Sequence, residues 1–517
     1  MVKAESAKLR LTVWGGGRLC SARRLDRRER KNAIFVWDSG GAGPAMGYLT
    51  TLYGHSLALL TDLYELTMAC GYWKSGLADR ETVFHLAFRH NPFGGGFGLA
   101  CGLGPAVEWL SDFRFTGEDL EYMGGLRGND GQPLFDPAFL AFLEDLRFTC
   151  DVDAIEEGTV VFPHEPLLRI HGPALQCQIA ESALLNLINY QSLVATKAAR
   201  IVTAACGRRV IDFGTRRAHG IEAGVLAARA AYIGGCDGTS NVAAGHRFGI
   251  PTYGTQAHSW VMAYDREEEA FRRFQEVFPE HAILLVDTYD VRAAVEKIIA
   301  SGRKPRGIRL DSGDLVADSQ WARQRLRQVG WEDVQIFASG NLDEYRIAAL
   351  LERGAEIDGF GVGTALVTSE DAPSLGVVYK LVEVEAEEER RLAAKFSDAK
   401  TTYPGRKQVF RFRDARGEFY QDLIALEGEQ PAGGEPLLVP VMRGGRRLHP
   451  SSPLVELRER CADARQHLPA ALRQLEAAGT YPVRYSQQLE ALQQAVRQRY
   501  RGGVEEKQQK AAPTRRG

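Results

Sequence analysis

Thr255, His258, Asp287, Arg309, Asp311, Ser339 and Thr364 share one property: each stands where a short apolar run gives way to a polar or glycine-containing break. Their side chains could do chemistry together. Arg309, with Arg216 and Arg217 in the stretch FGTRR, keeps its charge at any physiological pH and carries a planar fork that grips a carboxylate or phosphate at two points. Ser339-Gly340-Asn341 and Gly361-Val362-Gly363-Thr364 offer small hydroxyls and backbone N–H groups suited to a phosphate. Asp287, Asp311 and Asp314 could orient sugar hydroxyls or a magnesium ion on a diphosphate. His258 is the titratable nucleophile beside them. Taken singly, any of these could be a turn or capping residue, and Asp311 to Asp314 in LDSGDL is by itself a good helix start signal.

The elements that must position these groups follow one plan. Between residues 210 and 365 the runs RVIDFGTRR, IGGCDGTSN, IPTYGTQAHS, AILLVDTYD, GIRLDSGDL, VQIFASGNLD and IDGFGVGTAL are each β-rich, broken by polar residues or glycine, and followed by helical sequence. Repeated βα units imply parallel strands. Seven such units, with VVYKLVEV as a candidate eighth strand, suggest a barrel more than an open sheet. The loops at the carboxyl ends of barrel strands share one mouth. The repeat places Arg216, Thr239, Thr255, His258, Asp287, Thr288, Arg309, Asp311, Asp314, Ser339, Asn341, Gly361 and Thr364 there. That shared edge is what favours a site over scattered turn residues.

Upstream of the repeat, Thr61 or Asp62 can cap a helix in LTDLYELTMACGYW, and Ala174 to Cys206 forms the longest helical pattern in the chain. Asp151 to Gly172 reads as a small sheet, and the glycines of NPFGGGF as a tight turn rather than a phosphate loop, because no G-K-[ST] follows. His85 and His90 read as partly buried or surface histidines. Residues 1–45 are expected to be a disordered extension; a basic arm or organelle address is the alternative, opposed by Asp26 and Glu29. The further expected divisions are an α+β domain at 46–190, the barrel at 191–385, a segment returning to the first domain at 386–480, and a surface helix with a disordered tail at 481–517.

Composition sets the outer limits. The 517 residues carry 64 basic and 66 acidic side chains, a net charge of −2, which gives no long-range attraction to nucleic acid or an anionic membrane. No apolar run has the length of a membrane span. Eight cysteines, without a C-x-x-C pair or zinc spacing, read as reduced and mostly buried thiols. A cytoplasmic location is the expectation.

With those residues in place, the chain resembles the nicotinate phosphoribosyltransferases. TDLYELTMACGYW, NPFGGGF, FGTRRAHG, GTSN, GTQAHSW, VDTYD, GIRLDSGDL, SGNLDE, GVGTALVTS, SLGVVYKLVE and PGRKQVFR are similar to that family's motifs and occur in its order, over roughly residues 55 to 430. The resemblance implies an irregular TIM-like α/β barrel, the type II phosphoribosyltransferase fold, beside a smaller α+β domain built from both chain ends. It implies a homodimer with shared active sites, in which Tyr64 reaches the partner's nicotinate. It further implies that Thr255, Arg309, Arg216 and Phe213 bind nicotinate. Asp287, Asp311, Ser339, Gly340, Gly361, Gly363 and Thr364 would bind 5-phosphoribosyl 1-diphosphate. His258, with Arg309 and Asp311 as catalytic companions, matches the histidine that ATP phosphorylates, whereas His219 does not match it. ATP is then a co-substrate, and magnesium, contacted by Asp311 and Asp314, a cofactor. His90 departs from the pattern, standing where a longer basic residue is expected.

Two rivals stay open at this point. An enzyme of the same fold could take nicotinamide, which needs no arginine, or quinolinate, which needs a further basic group. A non-catalytic barrel scaffold is the other, although His258, Arg309 and Asp311 are all present. An aldolase-like barrel would show a strand-end lysine, and none of the seven breaks has one.

Overall fold

The computed structural model describes residues 57–386, 390–396, 401–476 and 479–511, with side chains as far as Tyr500. The extension expected over residues 1–45 lies outside the described residues, as do Cys20 and the last six residues of the tail.

The repeat between 210 and 365 folds into a parallel sheet of six short strands. Their order is Gly238–Thr239, Arg209–Asp212, Gly359–Val362, Gln335–Ala338, Gly307–Leu310 and Ile283–Leu285, and every neighbouring pair is parallel. Ile308 faces Ile336, and Gly361 faces Ile211. Leu284, Val286, Ile308, Leu310 and Ile336 belong to one buried cluster, closed from outside by Ala294, Val295, Ile298, Ala322 and Leu326 of the crossover helices. The helices cap where the strand breaks supply acceptors. Asp290, Asp314 and Asp343 each accept from the first turn of the following helix.

Two expected strands behave differently. IPTYGT makes only an isolated parallel bridge, Thr252 to Thr239, rather than a regular strand; Pro251 has no N–H to give to a ladder. VVYKLVEV is not an eighth barrel strand. Val378–Val384 pairs antiparallel with Glu81–Ala87 in a separate seven-stranded sheet. That sheet runs Arg391–Leu392, Val378–Val384, Glu81–Ala87, Leu168–Pro173, Asp151–Ile155, Leu438–Arg443, Arg446–Arg447, so it draws strands from both ends of the described chain.

Within the segment expected to return to the first domain, Lys407–Arg413 and Phe419–Leu426 centre a four-stranded sheet of their own, and Leu438–Arg443 makes the return. The turn expected at NPFGGGF contains a short 3-10 helix, Pro92–Gly94, with Phe93 at φ 61°. His85 is buried in the centre of its strand while His90 is exposed. The described cysteines are all free, and only Cys206 is exposed.

The longest helical pattern divides at Ala180 into Ala174–Ile179 and Glu181–Ala204. The border expected at residue 190 falls inside the second helix. Its first half packs Leu184, Leu187 and Ile188 into the core under the seven-stranded sheet, and its second half packs Val194, Ala195, Ala198 and Ala199 into the core beside the barrel. Every residue from Gln191 to Ile201 is buried, the signature of a helix enclosed on all sides. Small side chains permit that. A Cβ on Gly234 would stand 2.3 Å from the Ala195 carbonyl oxygen, so only glycine fits where the next helix ends.

Candidate active site

At the carboxyl ends of the parallel strands lies a cavity of about 440 Å³ lined by Phe213, Arg216, Arg217, Thr255, Gln256, Arg309, Asp311, Ser339, Gly340, Asn341, Gly361, Gly363 and Thr364. The strand-end repeat thus brings together most of the residues singled out from sequence. Arg309, in the strand Gly307–Leu310, donates through an Nη to the Thr255 hydroxyl, while its Nε is buried without a partner. Burial holds the guanidinium below its ordinary value, with Asp311 and Asp287 pulling the other way. Both amide atoms of Gln256, next to Thr255, are likewise buried without a partner. Arg216 and Arg217 are exposed at the same wall and form no ion pair among the described residues.

Phe213 owes its place to glycine. A Cβ on Gly361 would stand 2.3 Å from the Phe213 ring, and one on Gly363 would stand 3.2 Å from the Phe213 carbonyl oxygen. Gly361, expected from the resemblance to touch a phosphate, therefore also seats the aromatic ring. On the opposite rim Gly340 has φ 92°, and a Cβ there would lie 2.0 Å from the Asp311 carbonyl oxygen. Asn341 follows at φ 49°, its carbonyl held by Arg346 at 2.6 Å. The helix Thr364–Val367 begins at the cavity wall, and its first-turn N–H groups have no acceptor within the helix.

The carboxylates divide by role. Asp311 accepts from the Ser339 hydroxyl. Asp287 accepts through Oδ2 from the Ser312 hydroxyl at 2.5 Å and the Asp311 N–H at 3.3 Å, leaving a buried Oδ1 without a partner. Asp314 uses Oδ1 as a helix cap for Val316 and Ala317, and lines an adjoining cavity of about 530 Å³ that also touches Asp311 and Gly340. His258 opens the short helix His258–Met262 at the rim, with Nδ1 at 3.2 Å from the Thr288 hydroxyl and Nε2 at 3.8 Å from Asp311 Oδ2. Its side chain is 41% exposed.

Comparison with known proteins decides what this arrangement belongs to. Three family models match in succession: the nicotinate phosphoribosyltransferase N-terminal domain over residues 59–189, the quinolinate phosphoribosyl transferase C-terminal domain over 194–373, and the nicotinate phosphoribosyltransferase C-terminal domain over 431–493. A nicotinate phosphoribosyltransferase of Mycobacterium tuberculosis is 46% identical over 443 residues, covering 84% of this chain and 93% of that protein. The chain belongs to the nicotinate phosphoribosyltransferase family. The Bacillus subtilis nicotinate phosphoribosyltransferase is 42% identical over 72% of this chain and 77% of its own. The human nicotinic acid phosphoribosyltransferase structure superposes with a TM-score of 0.74 at 32% identity, covering 84% of this chain and 99% of that one. A nicotinate-nucleotide pyrophosphorylase from Pyrococcus furiosus gives 0.64 at 26% identity over 80% of this chain and 96% of its own.

In this phosphoribosyltransferase, Tyr64 stands apart from the cavity. It is 47% exposed on the first turn of helix Leu63–Lys74, beside the exposed Leu60, Leu63 and Met68. His219 is exposed on the loop after Arg217 and also lies outside the cavity wall. Two buried polar residues at the site were given no role by the sequence reading. Gln256 is one. The other is Asp212, fully buried at a strand end, where it accepts from Gly214 N–H at 2.8 Å and the Thr239 hydroxyl at 2.7 Å, so that one carboxylate ties FGTRR to GTSN. Burial pushes its pKa up. An acidic residue ending an otherwise apolar run was the available signal.

Proposed function

We propose that the chain catalyses transfer of the phosphoribosyl group from 5-phosphoribosyl 1-diphosphate to nicotinate, giving nicotinate mononucleotide and diphosphate for NAD synthesis. The observation that carries this reading is the single cavity in which Arg309, Thr255 and Phe213 stand on one side and the loops Ser339–Asn341 and Gly361–Thr364 on the other. Arg309 and Arg216 take the nicotinate carboxylate, and Phe213 stacks on the ring. The two loops, with Asp287 and Asp311, take the phosphoribosyl diphosphate. The pyridine nitrogen attacks the anomeric carbon as the bond to the diphosphate oxygen breaks, and the electron pair leaves with diphosphate. Positive charge gathers on the ribose during that step, so positioning and a fixed electrostatic frame supply the acceleration.

ATP is read as a co-substrate that phosphorylates His258, with water later releasing phosphate. The Thr288 hydroxyl orients the ring from Nδ1. A phosphoryl group there adds negative charge beside Asp311 and the strand ends, enough to reorder the loops that meet substrate. The unpartnered Asp287 Oδ1 beside Asp311 suits a magnesium ion bound mainly through substrate oxygens, whereas Asp314 is engaged as a cap. Such an ion would neutralise charge on the leaving diphosphate. Among the described residues there is no cluster of three or more metal-type ligands. We read the exposed face around Tyr64 as the surface that completes the cavity of a second copy in a homodimer. No helix among the described residues is long and apolar enough to cross a membrane, and we read the enzyme as cytoplasmic.

The test is product formation from phosphoribosyl diphosphate with nicotinate, nicotinamide or quinolinate, each with and without ATP, beside a His258→Ala variant. Turnover of nicotinate alone, accelerated by ATP in the parent and not in the variant, is expected. Turnover of another acceptor would reassign the substrate, and none at all would favour a scaffold.

A further inference from the structure

We propose that Lys197, which does not line the cavity, is the positioning residue that holds the two phosphoribosyl-binding loops in register. The inference rests on the reading of those loops given above. Lys197 lies in the enclosed half of helix Glu181–Ala204 with a side chain only 2% exposed. Its Nζ is 2.8 Å from Glu344 Oε2, an ion contact without hydrogen-bond alignment, and 2.5 Å from Asp371 Oδ1. Those carboxylates come from different loops. Glu344 opens the helix that directly follows Ser339–Asp343. Asp371 follows the short helix Thr364–Val367 that continues from Gly361–Gly363. One cation therefore joins the backbone segments leaving both.

The same helix reinforces each attachment. Arg200, one turn on, holds the second Glu344 oxygen at 2.7 Å and the Tyr345 hydroxyl at 3.0 Å. Tyr190, two turns back, donates to the Val367 carbonyl at 2.8 Å, and Asn189 accepts from Leu375 N–H at 2.8 Å. The Phe93 ring closes the cluster 4.8 Å from Lys197 Nζ. Both loops need such restraint, since Asn341 at φ 49° and Ser369 at φ 48° occupy a region non-glycine residues avoid unless their surroundings impose it. Stability alone does not explain the arrangement. A buried ion pair is commonly no more stabilising than an apolar replacement of similar volume. What an apolar side chain cannot do is fix two carboxylates of separate loops at one point.

The experiment compares the full-length parent with Lys197→Met, Asp371→Asn and the double variant, reading KM for each substrate, kcat, thermal midpoint, and calorimetric binding of phosphoribosyl diphosphate alone. In Lys197→Met the KM and dissociation constant for phosphoribosyl diphosphate should rise tenfold or more, while KM for nicotinate stays within twofold. Asp371→Asn should show a smaller shift of the same kind, about threefold, and the double variant should be no worse than Lys197→Met. Equal change in both KM values, or additive effects in the double variant, would overturn the proposal. Asp371 is 40% exposed on its side chain, so its variant carries the test if Lys197→Met does not fold. If the parent binds phosphoribosyl diphosphate but leaves nicotinate unused, the assigned reaction falls and the calorimetric comparison still decides the role of Lys197.

Discussion

Charged residues at the barrel mouth and in the flanking sheets are treated in opposite ways. In the four-stranded sheet Arg411 is 2% exposed and meets Asp422 at 2.6 Å, with Tyr481 donating to the same carboxylate and the Phe419 ring 4.6 Å from the guanidinium. Arg169 in the seven-stranded sheet meets Asp153 at 2.7 Å and Glu427 at 2.6 Å. Behind the barrel, Arg229 holds both oxygens of Glu157. At the mouth, by contrast, Arg309 Nε, Asp287 Oδ1 and both amide atoms of Gln256 are buried without partners. A buried polar atom left unpaired costs about 1–3 kcal/mol. The arginine pairs of the flanking sheets avoid that cost, and His85 in the seven-stranded sheet, both ring nitrogens unpaired, is the exception there; at the mouth four such atoms gather on neighbouring strand ends. Unfinished hydrogen bonding gathered beside one cavity, more than charge as such, distinguishes this mouth from the arginine struts.

That contrast can be broken at either end. Replacing Arg309 with Gln should lower kcat/KM for nicotinate about a thousandfold while the thermal midpoint barely moves, because the side chain has little to lose in the free protein. Steady-state kinetics beside a melting curve would show it, and a large drop in the midpoint would contradict the contrast. Arg411→Met should do the reverse. It strands the buried Asp422, so chemical denaturation should report about 3–5 kcal/mol lost, with the kcat of the folded fraction unchanged. Gly340→Ala falls between them: the added Cβ meets the Asp311 carbonyl oxygen, and kcat/KM should drop about thirtyfold, an activation penalty of about 2 kcal/mol.

A gentler test uses pH. Lys407 is buried beside Arg169, and burial first, that neighbour second, push its pKa down to about 7. The fold therefore favours the neutral amine, while the unfolded chain keeps its proton up to about pH 10.4. Between those values the unfolded state binds more protons, so this residue makes stability rise with pH, at most by about 1.4 kcal/mol per unit. Stability curves of parent and Lys407→Met should consequently diverge in the parent's favour from pH 7 to pH 9, and parallel curves would remove the effect. Smallest of all, Thr288→Val should reduce ATP stimulation about threefold, since it removes only the neighbour of His258 Nδ1.

The mouth was legible because chemistry at a strand end is written locally. Arg309, Asp311, Ser339 and Thr364 each sit within a few residues of an apolar run, and a parallel repeat sends all such ends to one edge. Sheet membership was less legible. Val378–Val384 has the composition of a strand, but composition does not say that its partner is Glu81–Ala87, some 300 residues earlier in sequence. Nothing local marks Lys197, for its partners Glu344 and Asp371 are 147 and 174 residues away. Gln256 lies within the motif GTQAHSW, but nothing in that motif singles it out; the absence of a partner in three dimensions does.

The segment carrying Thr255 and His258 is tied to its neighbour by little more than two backbone bonds, Thr239 N–H to the Pro251 carbonyl and Tyr253 N–H to the Thr239 carbonyl. On the other side of the sheet, Ile283–Leu285 has no further strand neighbour among the described residues. In mechanical terms the parallel sheet is a split ring, with its gap beside the segment that bears the histidine. A closed ring would have to stretch a whole ladder to widen its mouth, whereas a split one yields at the weakest joint, and the joint here lies next to Thr255.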